Sequence, residues 1–490
     1  MSTAALDGTG LARAIRQSIE RDGCSTALVT SDKEVGFAEL GRLADGIGEQ
    51  LTAAGVTPET GLAVLAEKSV PVIGTVLAAA ELGIPTLLLS PLLPGATRRQ
   101  ALQESGCGFL ADVSGPDPIT RVESASGPSN CALMLTTSGS SGTPKVVRLG
   151  AAAVARFLRW GRTTFDLGPD RASLSLAPLN FDLSLLDVWA TLAAGGSSVL
   201  IGEQTALRGA EVLHQIARHR VRLVQAVPLF FHQMLEAAAG PLDCVEHVIV
   251  TGDRITQETL DGVRLIFPKA LLHNVYGATE TNDSFLHTIT PTDPRPQVPL
   301  PIGRPIDGVT ALLVDDDGRP VDGAGTGRLV VRTPFQADGY SDGDLHAASF
   351  ITRADSGAMF FVTSDRIRRD TDGLCHYEGR CDRKVKVRGV LIDLDELEVV
   401  LCRHEAVREA AALATPDPVS GQRISVVVSV TELTPGLGVA LRLHCSGSLH
   451  RAGVPGAFHL GTGPLPRTTT GKIDRRRAHR EVADTERKIA

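Results

Sequence analysis

The sequence has few features of a metal scaffold, a disulfide framework or a nucleic-acid-binding protein. Its 490 residues include eight cysteines, none of them in a Cys-x-x-Cys pair, so neither structural zinc nor paired disulfides are expected. A reducing compartment fits best, and we predict a cytoplasmic protein. The formal net charge is −7, with acidic and basic residues interspersed, so we expect no nucleic acid partner.

The sequence also lacks the long apolar runs of membrane and secreted proteins. Its first eight residues contain no basic segment that leads into an apolar core, so no secretory signal is expected. The most apolar stretch, from Val70 to Leu89, is interrupted at Pro71, Glu81, Gly83 and Pro85. We therefore predict a helix followed by a buried strand, and no membrane span.

Short apolar runs alternate with helical patterns along the first half of the chain. Apolar residues at three- and four-residue spacing predict a helix over Phe37 to Leu51, and a similar pattern covers 210–219. This alternation predicts largely parallel sheets with helices on both faces. The predicted strands are 62–65, 85–89, 131–135, 221–227 and 245–250.

The second half predicts smaller units. After a proline-rich loop at 290–305, short strands at 310–314 and 327–332 predict a small antiparallel β subdomain. Beyond Asp382, a helical segment and a strand predict a small α+β domain. We therefore expect an α/β fold with a layered α/β/α N-terminal domain over 1–380 and a mobile C-terminal domain over 383–490.

A loop of small residues, 136–145, follows the apolar run 131–135. Glycines let backbone N–H groups approach an anion, hydroxyl groups add donors, and Lys145 adds positive charge, so the loop predicts a phosphate-binding site. It is not a Walker A loop, because proline precedes the lysine and valine follows it. A Ser/Gly surface linker is the alternative interpretation.

Seven segments match one family in sequence order. On them the chain resembles the adenylate-forming superfamily, and within it the adenylation domains of nonribosomal peptide synthesis and the D-alanyl carrier-protein ligases. The resemblance covers essentially the whole chain. The segments are 137–145, 180–184 (Asn-Phe-Asp-Leu-Ser), 274–281 (Asn-Val-Tyr-Gly-Ala-Thr-Glu-Thr), 327–329 (Gly-Arg-Leu), 363–365 (Thr-Ser-Asp), 379–389 (Gly-Arg-Cys-Asp-Arg-Lys-Val-Lys-Val-Arg-Gly) and 465–474 (Leu-Pro-Arg-Thr-Thr-Thr-Gly-Lys-Ile-Asp).

The resemblance implies a two-step reaction that uses ATP and Mg²⁺. A substrate carboxylate attacks the α-phosphate of ATP and releases pyrophosphate, and the acyl group then passes to a thiol. Both steps concentrate negative charge, so catalysis should depend on positioning and electrostatics. The resemblance further implies that the C-terminal domain rotates about a hinge at Asp382 between the two steps.

The resemblance assigns nucleotide-binding roles to named residues. Thr279 would contact the α-phosphate and Glu280 would hold Mg²⁺, while Tyr276 would pack against adenine. Asp365 would accept the ribose hydroxyls and Arg380 would reach the ribose. Further residues of the nucleotide site are Thr137, Ser138, Gly139, Ser140, Ser141, Gly142 and Lys145 at the β- and γ-phosphates, and Asn274 and Gly277 beside Tyr276.

The same resemblance assigns roles in the two reaction steps to two lysines. Lys472 would bridge the substrate carboxylate and the α-phosphate as they meet. Lys386 lies in the segment that would approach the thiol arm during the second step.

The substrate is expected to be an amino acid, because Asp182 stands where amino-acid-activating members carry a carboxylate for the α-ammonium group. Asp283 favours a basic or hydroxylated side chain if it faces the pocket, and solvent exposure is the alternative. A small amino acid also remains open, since the string 181–187 resembles the D-alanyl ligases. The other pocket residues are expected to be Leu183, Leu186, Gln225, Ile249, Thr251, Val275 and Ser284.

The acceptor is expected to be a separate phosphopantetheinylated carrier protein or coenzyme A, because the chain has no Leu-Gly-Gly-x-Ser carrier site of its own. We thus expect a free-standing ligase. Two alternatives stay open. One is an acyl- or aryl-CoA ligase, and the other is a degenerate, non-catalytic adenylation fold that acts as a binding module.

Overall fold

The structure is a computed structural model that describes residues 10–115, 117–123, 127–128, 131–137, 145–315, 317–353, 357–417, 421–467 and 473–489, with side chains up to residue 482. Over these ranges the chain forms two compact units. The larger unit contains residues 10–137 and 145–379, and the smaller unit begins at Arg380. The hinge at Asp382 stays a prediction.

Fourteen α-helices lie in the described ranges. They are α1 (Gly10–Asp22), α2 (Phe37–Ala53), α3 (Val70–Glu81), α4 (Gly95–Ser105), α5 (Ala151–Thr164), α6 (Thr191–Ala194), α7 (Glu203–Ala206), α8 (Gly209–Arg218), α9 (Pro228–Ala237), α10 (Gln257–Ile266), α11 (Gly343–Ser349), α12 (Leu394–Cys402), α13 (Leu437–Ser448) and α14 (Arg475–Ile489). A π-helical turn covers Leu185–Ala190, and a 3-10 turn covers Arg451–Gly453.

The strands of the same ranges number twenty-six. They are β1 (Thr26–Val29), β2 (Glu34–Gly36), β3 (Leu62–Leu65), β4 (Thr86–Leu89), β5 (Phe109–Ala111), β6 (Ile119–Arg121), β7 (Leu133–Thr137), β8 (Lys145–Leu149), β9 (Ala172–Ser175), β10 (Ser197–Leu200), β11 (Leu223–Ala226), β12 (His247–Thr251), β13 (Leu271–Ala278), β14 (Asn282–Ile289), β15 (Arg304–Pro305), β16 (Thr310–Val314), β17 (Gly325–Arg332), β18 (Gly339–Tyr340), β19 (Phe350–Thr352), β20 (Met359–Arg369), β21 (Cys375–Arg380), β22 (Lys384–Val387), β23 (Val390–Asp393), β24 (Val407–Asp417), β25 (Gly421–Val430) and β26 (Ala457–Gly461).

Two large sheets form the larger unit. A nine-stranded sheet has the order β15-β14-β13-β12-β11-β9-β10-β1-β2, and a seven-stranded sheet has the order β18-β8-β7-β4-β3-β5-β6. The inner strands run parallel, and antiparallel strands close the edges. Strands β3, β4, β11 and β12 are buried along their full length, which explains why they read as continuous apolar runs.

The apolar stretch after residue 69 forms a helix and then a strand, as predicted. Helix α3 begins at Ser69, whose side chain accepts a hydrogen bond from the backbone N–H of Val72 at 3.4 Å, and Pro71 occupies its first turn. The helix is buried on almost all sides. No helix within the described ranges is long and apolar enough to cross a membrane.

Two smaller assemblies follow the large sheets. Strands β16, β17, β20 and β19 form an antiparallel sheet that β21 extends, which is the predicted β subdomain. In the smaller unit, β24, β25 and β26 form a three-stranded sheet, and β22 and β23 form a hairpin. Helices α12 and α13 complete its apolar core. The predicted fold class is confirmed.

One strand lies in a segment whose composition is typical of a loop. Residues 112–130 are rich in Ser, Gly and Pro, yet β6 pairs antiparallel with β5 at the edge of the seven-stranded sheet. Two of its three residues are exposed, so the strand has no apolar pattern to reveal it.

A buried histidine pair joins two strands of the nine-stranded sheet. His247 Nδ1 lies 3.0 Å from His273 Nε2, and His273 Nδ1 lies 3.0 Å from the Thr288 hydroxyl oxygen. Burial lowers the pKa of His247. Burial, and then the charge of His247, lowers the pKa of His273 to about 3. Both rings are therefore held neutral in the folded protein.

We predict that this pair makes stability fall in acid. The folded pKa values lie below the ordinary value of about 6.5, so the unfolded chain binds more protons and the protein loses stability as the pH falls below that value. For His273 alone the loss is about 2 kcal/mol between pH 8 and pH 5. Urea unfolding across this range should show the loss in the parent and in His214→Gln, an exposed control. An unchanged loss in His273→Gln would contradict the prediction.

Candidate active site

The ends of two neighbouring strands carry the first and last residues of the predicted phosphate loop. Thr137, at the end of β7, pairs with Lys145, at the start of β8. The Thr137 hydroxyl oxygen is buried and has no hydrogen-bond partner among the described residues. The Lys145 Nζ lies 5.1 Å from the centre of the Tyr340 ring. Ser138, Gly139, Ser140, Ser141 and Gly142 lie outside the described residues.

Glu280 lies in the turn between β13 and β14 and is 9% exposed. The Tyr340 hydroxyl donates a hydrogen bond to its Oε1, and the backbone N–H of Ala337 donates to its carbonyl oxygen at 2.9 Å. Burial, and then the charge of Glu280, raises the pKa of Tyr340, so the phenol keeps its proton and remains a donor. Tyr340 belongs to β18, which pairs with β8. Tyr340 therefore contacts both Glu280, the predicted ligand of Mg²⁺, and Lys145, the lysine of the predicted phosphate loop.

The surroundings of Glu280 fit a magnesium ion that arrives with its substrate. Within the described ranges, no group of three or more His, Cys, Asp or Glu side chains is placed to hold a metal. Mg²⁺ commonly takes one or two protein carboxylates and draws its remaining ligands from substrate phosphates and water. A buried carboxylate fixed by one donor matches that pattern. Thr279 is half-buried in the same turn.

Asp365 and Tyr276, predicted at the ribose and the adenine, lie together. The Tyr276 hydroxyl donates to Asp365 Oδ2 at 2.5 Å, and the backbone N–H of Asp365 donates to the Thr363 hydroxyl oxygen at 3.0 Å. The rings of Tyr276 and Tyr377 are 6.3 Å apart, and the Arg254 guanidinium lies 5.0 Å from the Tyr377 ring centre. Tyr377 and Arg254 were not predicted, because neither lies in the matched motifs.

Two other residues of the predicted nucleotide site have structural roles of their own. The Asn274 side-chain amide donates to the Pro301 carbonyl oxygen at 2.7 Å. A Cβ at Gly277 would lie 2.2 Å from the Asn282 carbonyl oxygen. Only glycine therefore fits at this point of the β13–β14 hairpin.

Four residues predicted to line the substrate pocket lie on the neighbouring strands β11, β12 and β13, and α/β sheets bind ligands at the carboxyl ends of such strands. Gln225 on β11 is opposite Ile249, and Thr251 is opposite Val275. The Gln225 side-chain amide donates to the Leu183 carbonyl oxygen at 2.9 Å, which fixes the turn that carries Asp182.

The structure brings Asp182 and Asp283 close to each other. Burial, and then the charge of Asp182, raises the pKa of Asp283 to about 8. Both carboxyl groups are half-buried. The other residues predicted to line the substrate pocket include both apolar and polar side chains. Leu186, Ile249 and Val275 are buried in the hydrophobic core, and Ser284 is buried with its hydroxyl donating to the Thr281 hydroxyl oxygen at 3.1 Å.

A buried pair of charges beneath this turn was not predicted. Asp187 lies in the π-helical turn and is fully buried, and neither of its carboxylate oxygens has a hydrogen-bond donor among the described residues. The Lys68 Nζ donates to the Ser175 carbonyl oxygen at 2.8 Å. Burial shifts the pKa of both groups to about 8, and their mutual attraction opposes both shifts. No motif includes Lys68.

The smaller unit holds the remaining predicted residues. The Arg380 guanidinium donates to both carboxylate oxygens of Asp382, at 2.6 and 2.7 Å. Lys386 is half-buried on β22, opposite Leu391. Lys472 lies outside the described residues. The roles of Arg380, Lys386 and Lys472 remain predictions.

Models of two protein families match the sequence. The model described as AMP-binding enzyme matches residues 15–127 and 111–341, and the model described as AMP-binding enzyme C-terminal domain matches residues 396–472.

Individual relatives agree with these matches. An L-proline–[L-prolyl-carrier protein] ligase of Streptomyces coelicolor is 33% identical over 71% of this chain, and the chain spans 66% of that protein, just under two thirds. A ligase of the same name from Pseudomonas fluorescens is 27% identical, with 95% of this chain and 98% of the relative covered. The solved structure of the amide bond synthetase McbA of Marinactinospora thermotolerans has a TM-score of 0.83, with 24% identity and 96% and 98% coverage, which supports the fold.

We predict that Asp283→Asn stabilises the protein in a pH-dependent way. The folded pKa of Asp283 lies above the ordinary value of about 3.9, so the folded state keeps a proton that the unfolded state releases, and stability falls as the pH rises from about 4 to 8. The thermal midpoint of Asp283→Asn should exceed that of the parent at pH 8 and match it near pH 4. Asp307→Asn, at an exposed position, is the control. An equal difference at both pH values would argue against a buried, protonated Asp283.

Proposed function

We propose that this chain, which belongs to the AMP-binding enzyme family, activates a small amino acid with ATP and transfers it to the thiol of a carrier protein. Family membership confirms the resemblance to adenylate-forming enzymes that the motifs indicated. In the proposed reaction the amino acid carboxylate attacks the α-phosphate of ATP, pyrophosphate leaves, and the thiol then displaces AMP from the aminoacyl-adenylate.

One observation carries the choice of an amino acid. Burial, and then the charge of Asp182, raises the pKa of Asp283, so the two carboxyl groups lie near each other among the residues predicted to line the substrate pocket. In the proposed pocket, an ammonium group beside Asp182 would relieve this repulsion.

The names of two relatives support a carrier protein as the acceptor. Both are ligases of L-proline and an L-prolyl-carrier protein, and one of them is covered over 98% of its length. We infer a phosphopantetheinylated carrier protein, separate from this chain, as the acceptor, with coenzyme A as the alternative to be tested. Proline, an imino acid, belongs in the substrate panel beside the small amino acids.

Enzymes of this family use ATP. We propose that Glu280 binds the Mg²⁺ of the nucleotide and that Asp365 accepts hydrogen bonds from the ribose. Residues 138–142 would bind the outer phosphates, and Lys472 would neutralise the carboxylate and the α-phosphate as they meet. Asp365 is buried beside the phenol of Tyr276, which suits an acceptor of neutral hydroxyl groups.

Pyrophosphate exchange into ATP tests the proposal across amino, imino, β-amino and aryl acids. We expect exchange that requires an amine, a loss of about 30-fold or more in Asp182→Ala and a loss of about 100-fold or more in Lys472→Ala. Lys269→Ala, at a surface ion pair, is the control. Exchange with acids that lack an amine, unchanged in Asp182→Ala, would instead identify an acyl- or aryl-CoA ligase. Absence of exchange with every substrate would indicate a binding module.

Tyr340→Phe tests the proposed metal carboxylate. The variant keeps the ring beneath Lys145 but removes the donor to Glu280, and a hydrogen bond to a charged group contributes about 1.5–3 kcal/mol. The Mg²⁺ concentration for half-maximal exchange should rise about 10-fold or more. In a Glu280→Gln background the same substitution should have little effect. An equal shift in both backgrounds would show that Tyr340 does not act through Glu280.

A further inference from the structure

A buried carboxylate lies at the centre of the smaller unit. Glu398, on α12, is 8% exposed. Its Oε1 accepts hydrogen bonds from Arg475 Nε at 2.7 Å, Arg383 Nη2 at 2.9 Å and the backbone N–H of Ala412 at 2.7 Å. Its Oε2 accepts a bond from Arg475 Nη2 at 2.5 Å. Burial alone raises the pKa of Glu398, but the bonds from Arg475 and Arg383 outweigh it and hold the pKa below its usual value.

This carboxylate joins two distant parts of the chain. Arg383 directly follows the predicted hinge residue, Asp382. Arg475 begins α14, three residues after Lys472. Because both guanidinium groups share one carboxylate, the strand next to the hinge and the end of the lysine segment are tied to the same point of α12.

The flanks of the lysine segment are held together as well. Arg467 and Ile473 form an isolated β-bridge, and the backbone N–H of Asp474 donates to the Pro466 carbonyl oxygen at 2.7 Å. On the first flank, Glu409 accepts a hydrogen bond from the backbone N–H of Leu465 at 3.1 Å and pairs with Arg467. Each flank is therefore fixed by one glutamate, Glu409 before the segment and Glu398 after it.

Stability alone is a weak reason for such a cluster. Replacing a buried ion pair by apolar residues of similar volume is often neutral or stabilising. An arginine in the first turn of a helix is also unfavourable, because the N-terminus of the helix dipole is positive. Arg475 has this position, and the two oxygens of Glu398 compensate its charge. What the cluster supplies beyond stability is a fixed geometry between the two arginines.

We propose that Glu398 is a positioning residue that supports adenylation by Lys472, because it holds Arg475, three residues after that lysine, and Arg383, beside the predicted hinge, in one arrangement. The inference rests on the proposed function, because it requires Lys472 to act in adenylation.

The test compares Glu398→Gln in two backgrounds by pyrophosphate exchange with the full chain. Glutamine keeps the shape of the side chain and removes its charge. With Lys472 present, we expect kcat to fall about 10- to 100-fold, since a small misplacement of a reacting group has effects of that size. KM for ATP and for the amino acid should change less than about 2-fold. In a Lys472→Ala background the same substitution should cost less than about 2-fold, since the residue through which Glu398 acts is absent.

Glu432→Gln, at an exposed position of the same unit, is the matched control. If Glu398→Gln is unfolded at the assay temperature, Arg475→Lys is used in its place, because it keeps the charge and loses only the two-pronged geometry. It should show the same dependence on the background, with a smaller loss.

The outcomes separate this inference from the proposed function. An equal loss in both backgrounds, or a loss no larger than that of Glu432→Gln, overturns the positioning role and leaves the proposed function standing. Full exchange in Lys472→Ala alone overturns the role of the lysine in the proposed function, and the positioning role with it.

Discussion

The hydrogen bond from Tyr340 to Glu280 is the interaction on which the larger part of the site depends. Glu280 lies in the turn that ends the parallel part of the nine-stranded sheet, and Tyr340 belongs to the seven-stranded sheet. The bond thus joins the two sheets within the larger unit. A buried carboxylate without a donor is costly, so this contact must form whenever the turn is buried. Lys145, the last residue of the predicted phosphate loop, lies over the ring of the same tyrosine.

Five of the acidic groups described above divide into two kinds. Glu280, Asp365 and Glu398 are buried with specific donors, which are the phenols of two tyrosines and the guanidinium groups of two arginines. Asp182 and Asp283 instead act on each other by repulsion. Groups of the first kind are fixed in place before any ligand binds. In the second pair, burial and the charge of Asp182 raise the pKa of Asp283, so the two carboxyl groups destabilise each other's charged form.

The fold was largely predictable because its inner strands are buried on both faces. The apolar composition of strand β3 and the spacing of apolar residues in helix α2 predicted these two elements. Strand β6 is short and mostly exposed, and its position is set by its pairing with β5. In the candidate site, too, residues within local motifs were predicted and residues with distant partners were not. Glu280 and Asp365 were predicted from local motifs. Tyr340 and Lys68 were not, because their roles come from partners far away in the sequence.

The ion pair between Arg380 and Asp382 was also not predictable from the sequence. Sequence comparison gives each residue a separate role, at the ribose and at the hinge, but only coordinates show that they form a two-pronged ion pair. Charge networks of this kind, including the one around Glu398, depend on side-chain directions that no local pattern encodes. A motif can therefore identify a candidate functional residue without identifying the residues that hold its side chain in place.

The most direct test of the account follows an oxygen atom. The protein is incubated with ATP, Mg²⁺ and a substrate amino acid that carries ¹⁸O in its carboxylate, with hydroxylamine as the acceptor, and the AMP formed is analysed by mass spectrometry. If the carboxylate attacks the α-phosphate, cleavage of the aminoacyl-adenylate leaves one ¹⁸O in AMP. Unlabelled AMP, or label found in inorganic phosphate with ADP as the product, would contradict amino acid activation by adenylation.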